Sequence, residues 1–284
     1  MSSKLKGLGK YWTLMPFVLL IVMIELTPLG NIIRQSLISE EGVFGLDNYV
    51  AIFSKAIYRK TISNSLRLTF SASLIGLLLA FLGGMAVSTA KAKTQNTFIS
   101  LLNMASNFCG IPLAFAFMIV MGSTGVLTLS AKSLGWNWLA NFDLYTLKGI
   151  LLVYVYFSIP IGTLMIIPSF NGIKKEWKEA AQLMNASGFQ FWWKIGIPVL
   201  IPGITGTFSI IFANALAAYA TIYALVQNNF PVLPTKIADC FTGDIIGRPE
   251  IGSALTVVLL LIMCVVLILG NLVKKYAVKG GVQK

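Results

Sequence analysis

Six apolar runs, each long enough to cross a bilayer, occupy most of this 284-residue chain. They lie at roughly Trp12–Ile33, Leu66–Ala90, Phe98–Val126, Leu147–Phe170, Leu200–Val226 and Ile251–Val273. About 20 helical residues cross the ~30 Å of hydrocarbon. The third and fifth runs exceed that length and are expected to tilt or to extend past the bilayer. Barrel strands would show segments of about ten residues with polar alternation, so the runs predict helices. Composition agrees. Hydrophobic residues make up 56% of the chain and charged residues 11%, against about 25% charged in a soluble domain. The expected fold is an all-α membrane protein with six transmembrane helices. Residues 12–273 form one transmembrane domain in this reading, with tails at 1–11 and 274–284. The basic residues before Trp12 imitate a signal peptide. No small-residue cleavage site follows, so the first run is expected to be retained as a span.

The net charge of +12 is spread along the chain rather than gathered in a nucleic-acid patch. Most basic residues sit in short segments between apolar runs, as in cytoplasmic membrane loops. With the N-terminus in the cytoplasm, thirteen Lys and Arg residues fall inside and nine outside, which predicts both termini inside. The chain has no histidine, which removes His-based triads, His-liganded metals and His proton shuttles together. Its three cysteines, Cys109, Cys240 and Cys264, form no CxxC pair and are expected to act as small buried hydrophobes. No GxxxxGK[ST] phosphate loop occurs. The chain is therefore expected to be no enzyme and to bind no cofactor or metal.

One long connection, Asn171–Pro198, stands out on the inner side. From Lys174 to Ala186 it holds strong helix formers with no Pro or Gly. Trp177, Ala181 and Met184 recur at i, i+4 and i+7 on one face, and Ala180 and Leu183 widen it. Asn185, Ser187 and Gly188 suit a stop or turn. Phe189, Phe191, Trp192 and Trp193 suit the membrane interface. Pro198 is expected to open the fifth span, where a missing N–H costs little. An amphipathic helix here fits two roles: resting on lipid headgroups, or docking a protein against the low relief of paired alanines.

Glu179-Ala180-Ala181, with Ile195 and Pro198 at the matching spacing, resembles the EAA loop of binding-protein-dependent ABC importer permeases. Asn185 stands where that family usually has Gly, and Asn tolerates the left-handed conformation such a turn needs. Gly45-Leu46-Asp47-Asn48-Tyr49 and Asn64-Ser65-Leu66 look like the family's first outer loop and second span. The resemblance implies the type I importer fold in the bacterial cytoplasmic membrane, with 174–186 as a coupling helix. Glu179 would make a charged contact to an ABC ATPase subunit. Ala180, Ala181 and Leu183 would pack in its cleft, and Asn185 would form the turn. It further implies a second permease subunit, identical or related, and an extracytoplasmic solute-binding protein. ATP and Mg would sit on the ATPase. Ala217–Ala224 and Phe230–Pro234 look most like the branch handling polyamines, ferric iron and aminophosphonates, with the sugar branch as the alternative. An ion-coupled secondary transporter would show ten or more spans or an inverted repeat, and neither is evident.

Polar groups inside spans are functional candidates by default. Glu25 lies within the first run, three residues before Pro28, where it would cap a helix break, pair with a neighbouring span, or serve a solute or gate. Arg67, at the outer start of the second run, is expected to snorkel. Asn107 and Gly110-Ile111-Pro112 should interrupt the third run, since irregular backbone at membrane depth lines a cavity or is buried in protein. Asn214, Tyr219 and Tyr223 mark the fifth, with the two tyrosines at i and i+4 sharing a face. They serve as pore lining or as interface belt, and adjoin Gln227-Asn228-Asn229.

Overall fold

A computed structural model describes residues 15–227, 229–242 and 247–282, with side chains described as far as Tyr276. Trp12, the basic residues before it, Asn228, Asp244 and the last two residues lie outside that set. Among the described residues, six helical stretches are long and apolar enough to cross a membrane. They are Met15–Ser36, Ala56–Thr89, Gly110–Ser133, Leu147–Asn171, Gly188–Ala217 and Pro249–Tyr276. Residues up to 59 with 236–260 make one compact unit, and 60–235 with 261 onward make another.

In chain order the helices are α1 (Met15–Ile21), α2 (Thr27–Ser36), α3 (Asp47–Ser54), α4 (Ala56–Thr89), α5 (Ala92–Ser106), α6 (Gly110–Met121), α7 (Val126–Ser133) and α8 (Asn137–Ala140). They continue as α9 (Leu147–Asn171), α10 (Lys175–Leu183), α11 (Gly188–Phe191), α12 (Ile197–Ala217), α13 (Tyr219–Val226), α14 (Leu233–Thr242) and α15 (Pro249–Val282). Several boundaries differ from those of the apolar runs. The second span starts ten residues before Leu66, because Ala56–Ser65 is polar yet helix-compatible, and hydropathy marks only the part that lipid surrounds. The polar stretch between the first two apolar runs thus holds α3 and the first turns of α4. The connection between α13 and α15 holds α14, and the tail from 274 is helical to Val282. The third run does not form one helix. Asn107 ends α5, its Nδ2 donating to the Asn103 carbonyl at 2.8 Å, and α6 begins at Gly110, whose φ of 70° favours glycine. The membrane-length stretch starts there and runs on through α7.

Two prolines expected to break or open helices do neither. Val22–Leu26 and Trp192–Gly196 are single π-turns, each followed by one residue and then proline, Thr27-Pro28 and Ile197-Pro198. The Thr27 amide donates to the Val22 carbonyl and the Ile197 amide to the Trp192 carbonyl. A proline lacks its own N–H and its ring collides with the carbonyl four residues back. The wider turn reassigns the preceding amide to the carbonyl five back, and the helix continues. The fifth span therefore starts at Gly188, before the aromatic cluster, and Pro198 lies inside it.

In the first unit, Asn48 explains the Gly45–Tyr49 pattern. Its Nδ2 donates to the carbonyls of Ser36 (3.0 Å) and Ile38 (2.8 Å), and Tyr49 Oη shares a 2.9 Å hydrogen bond with Ser36 Oγ. Together they tie the end of α2 to a tight turn, closed by an isolated bridge between Ile38 and Phe44. Cys240 is buried there, and burial pushes its thiol up, keeping it protonated. Cys109 and Cys264 are exposed on the chain surface rather than buried.

In the second unit, α9 is central: 61% of its most apolar window is buried, against 22–39% for the other spans apart from the first. It packs on α12 and α5, while α6 packs on α13. Leu68, Leu113, Ile150, Tyr154, Phe157 and Ile222 share one core cluster. Lipid gives helices no hydrophobic reason to associate, so close backbone approach through small residues must supply the contact. Gly162 shows this. A Cβ there would lie 2.6 Å from Ile211 Cδ1 and 2.9 Å from Ala80 Cβ.

Candidate functional site

The EAA-type loop begins as sequence periodicity expects, then closes more tightly. Lys174 takes an extended conformation before the first turn, and its Nζ lies 5.9 Å from the centroid of the Trp177 ring. Helix α10 stops at Leu183, three residues before the expected Ala186. The Ala186 amide donates to the Ala181 carbonyl at 2.9 Å, and the Asn185 amide to the Gln182 carbonyl at 3.0 Å. These two bonds make a Schellman turn, whose pivot residue must be left-handed. Asn185 is that residue, with φ 54°.

Ser187 then starts the next helix. Its Oγ accepts from the Gln190 amide at 3.2 Å, while Gln190 Oε1 accepts from the Ser187 amide at 2.8 Å. This capping box satisfies two orphan amides of α11. The local signal is Ser187-Gly188-Phe189-Gln190, a hydroxyl three residues before a side-chain amide, so Ser187 opens a helix as well as closing the turn. The loop thus runs from α10 through two hydrogen-bonded caps directly into the fifth span.

The exposed face of α10 differs from the predicted one. Ala181 is 8% exposed, buried within its own chain. Its Cβ is therefore not on the free surface with Ala180. Leu183 and Met184 stand out at 87% and 83% exposure, and Glu179 and Ala180 are exposed beside them.

The pathway candidates separate into groups. Glu25 is exposed within the π-turn of the first span, where no residue of the most apolar window is buried. It caps no break, since the helix is continuous, and Thr27 Oγ1 donates to the Val22 carbonyl at 2.9 Å. Tyr219 and Tyr223 stack with ring centroids 5.2 Å apart. Asn214 is exposed, one turn before a break at Ala218, whose ψ of 78° separates α12 from α13. Asn107 occupies the corresponding break between α5 and α6. The two breaks meet: a Cβ on Gly110 would lie 3.8 Å from Ala220 Cβ. Neither α6 nor α13 carries a side-chain cap at its start, so positively polarised helix ends gather at one level of the unit.

Tyr154 had no part in the sequence reading, yet it holds this break. It is 2% exposed, and its hydroxyl donates to the Ala218 carbonyl at 3.0 Å. A tyrosine in a central span looks like core in sequence; only the meeting of α9 with the α12–α13 break shows the bond. Tyr154→Phe is expected to remove that tie between α9 and the break and to cost about 1 kcal/mol. A lowered unfolding midpoint in detergent checks this, and an unchanged midpoint would refute it.

A family model described as "Binding-protein-dependent transport system inner membrane component" matches residues 72–279. The chain is 24% identical over 179 residues to the thiamine transport system permease protein ThiP of Escherichia coli, covering 63% of this chain and 33% of that protein. It therefore spans about a third of that relative's length. It is also 24% identical over 225 residues to the probable sulfate transport system permease protein cysT of Nephroselmis olivacea, covering 78% of this chain and 73% of that one. In fold it resembles a chain of a bacterial ABC transporter involved in the import of the acidic polysaccharide alginate. That match has a TM-score of 0.77 at 17% identity and covers 95% of this chain and 98% of the other.

Proposed function

This chain belongs to the family of binding-protein-dependent transport system inner membrane components, and on that premise we propose that it forms half of the pathway of an ATP-driven importer. It is a multi-pass membrane protein and a transport component rather than an enzyme. The observation that carries the proposal is the exposed α10 surface joined through two caps to the fifth span. Its termini and α10 face the cytoplasm in this reading. An ABC ATPase subunit, holding ATP and Mg, receives Glu179, Ala180, Leu183 and Met184. Ala181 supports the helix from beneath, and Asn185 fixes the turn. Movement of α10 passes through Ser187 and the π-turn into α12. A second permease subunit, identical or related, supplies the other half of the pathway. An extracytoplasmic binding protein delivers a small charged solute, of the polyamine, ferric iron or aminophosphonate kind suggested by Ala217–Ala224 and Phe230–Pro234. Asn107, Asn214, Tyr219 and Tyr223 surround the paired breaks and form the gate. Glu25 faces a neighbouring chain or the solute.

The test is copurification. Glu179→Lys with Leu183→Asp places a reversed charge and a carboxylate in an apolar contact, at roughly 2 kcal/mol or more for the latter. The ATPase is expected to be lost from the purified complex and ATP-dependent uptake to fall at least about tenfold, with the permease still inserted. Full uptake by that variant would sink the docking assignment.

A further inference from the structure

One face of the second span changes chemistry along its length. Lys60, Asn64, Arg67 and Ser71 recur at i, i+4, i+7 and i+11 and so follow one line of α4. Lys60 and Arg67 are exposed, and Asn64 and Ser71 are half-buried. The same line continues as Leu74, Leu78 and Leu82, exposed at 42%, 59% and 55%. Leu68 and Ala72, on the adjoining flank of the helix, lie in the core. A face turned wholly to lipid would be apolar throughout. Arg67 lies roughly 33 Å along the helix from Thr89, close to the full hydrocarbon thickness of about 30 Å. The polar part therefore occupies one mouth of the span.

Neighbouring groups place this mouth against the segment that follows α13. Asn64 Nδ2 donates to the Pro231 carbonyl at 3.2 Å, and the Leu233 amide donates to Ser65 Oγ at 2.7 Å. These bonds hold the stripe beside the segment after α13, where Gln227 and Asn229 are exposed. Among the described residues no carboxylate lies within ion-pair distance of Lys60 or Arg67. A guanidinium offers a planar fork of donors matched to an oxyanion. Ser71 adds a hydroxyl one turn away on the same line, and Lys60 a second positive charge.

We propose that the Lys60–Asn64–Arg67–Ser71 stripe is an oxyanion-receiving site, taking a carboxylate, sulfate or phosphate group onto Arg67. It rests on the permease reading only in making this mouth the solute's entrance; the charge preference belongs to the stripe itself. It narrows the charged solutes above to anionic ones, the aminophosphonate kind among them, because a polyamine would be repelled. At a membrane boundary the same oxyanion chemistry comes from the solute or from an anionic lipid headgroup.

The experiment uses the full chain in zwitterionic nanodiscs, with Cys109, Cys240 and Cys264 replaced by alanine and Ser71→Cys introduced. Its thiol is treated with an anionic sulfonatoethyl or a cationic trimethylammonioethyl methanethiosulfonate. The anionic-to-cationic rate ratio is expected to exceed that of free N-acetylcysteine about tenfold. Lys60→Gln with Arg67→Gln should remove the excess. Slowing of the anionic reagent by sulfate, at constant ionic strength, identifies a solute site. Slowing only on adding phosphatidylglycerol identifies a headgroup site. No labelling by either reagent, a ratio indifferent to the double substitution, or protection by neither anion overturns the proposal. ATPase copurification is read separately, so failure of the stripe and failure of the permease reading give different results.

Discussion

Gly162→Leu is expected to abolish assembly of a monodisperse protein. The reason is geometric rather than conformational, for Gly162 sits in ordinary helix. A Cβ would meet Ala80 Cβ at 2.9 Å and Ile211 Cδ1 at 2.6 Å, so even the first added carbon has no room. Ile211 can rotate, but Ala80 cannot, because its Cβ is fixed to the backbone of α4. Overpacking costs about 1–3 kcal/mol where a core can shift. Here α9 touches two helices through one residue, and relief against either pushes it into the other. Lipid offers no compensating drive to reassociate. Size-exclusion profile and unfolding midpoint are the readouts. Gly30→Ala, with nothing within 4 Å of its added Cβ, is the control expected to change little. A monodisperse Gly162→Leu protein with an unchanged midpoint would show that α9 does not depend on this contact.

The second large effect is expected at Asn185. Its φ of 54° lies in the left-handed region, which costs an ordinary L-residue about 1–2 kcal/mol and a β-branched one more. Asn185→Val is expected to break both bonds of the Schellman turn and to misdirect α10 without affecting insertion. Uptake driven by ATP should fall steeply while the amount of permease in the membrane stays constant. Asn185→Gly accepts the same φ and should retain uptake, with stability equal or slightly higher. If valine and glycine supported equal uptake, the turn would have no part in coupling. The comparison separates turn geometry from side-chain chemistry, since both variants remove the amide.

Much of this protein was legible because lipid imposes a simple rule. A span must be long, apolar and internally hydrogen-bonded, so the runs from Leu66, Leu147 and Ile251 located helices directly. Boundaries were less legible, because hydropathy is blind to helix that leaves the bilayer. Ala56–Ser65 and the helix beyond Val273 are polar enough to pass as loop and tail. Prolines misled for a related reason. Pro28 and Pro198 signal a break in a four-residue hydrogen-bond ladder, and the π-turns at Val22–Leu26 and Trp192–Gly196 change the ladder instead.

The connection from Lys174 to Pro198 divides along the same line. Sequence alone determined its helix, the tolerance of Asn185 for a left-handed turn, and, in Ser187 and Gln190, a capping box. These are local choices, settled within a few residues by backbone sterics and hydrogen-bond reach. Tertiary structure decided which face of α10 is free, burying Ala181 and leaving Leu183 and Met184 out. It also decided that Tyr154 would satisfy the Ala218 carbonyl 64 residues away, and that Gly110 and Ala220 would bring two helix breaks together. Such pairings depend on which helices become neighbours, and helix periodicity fixes only the face each one offers.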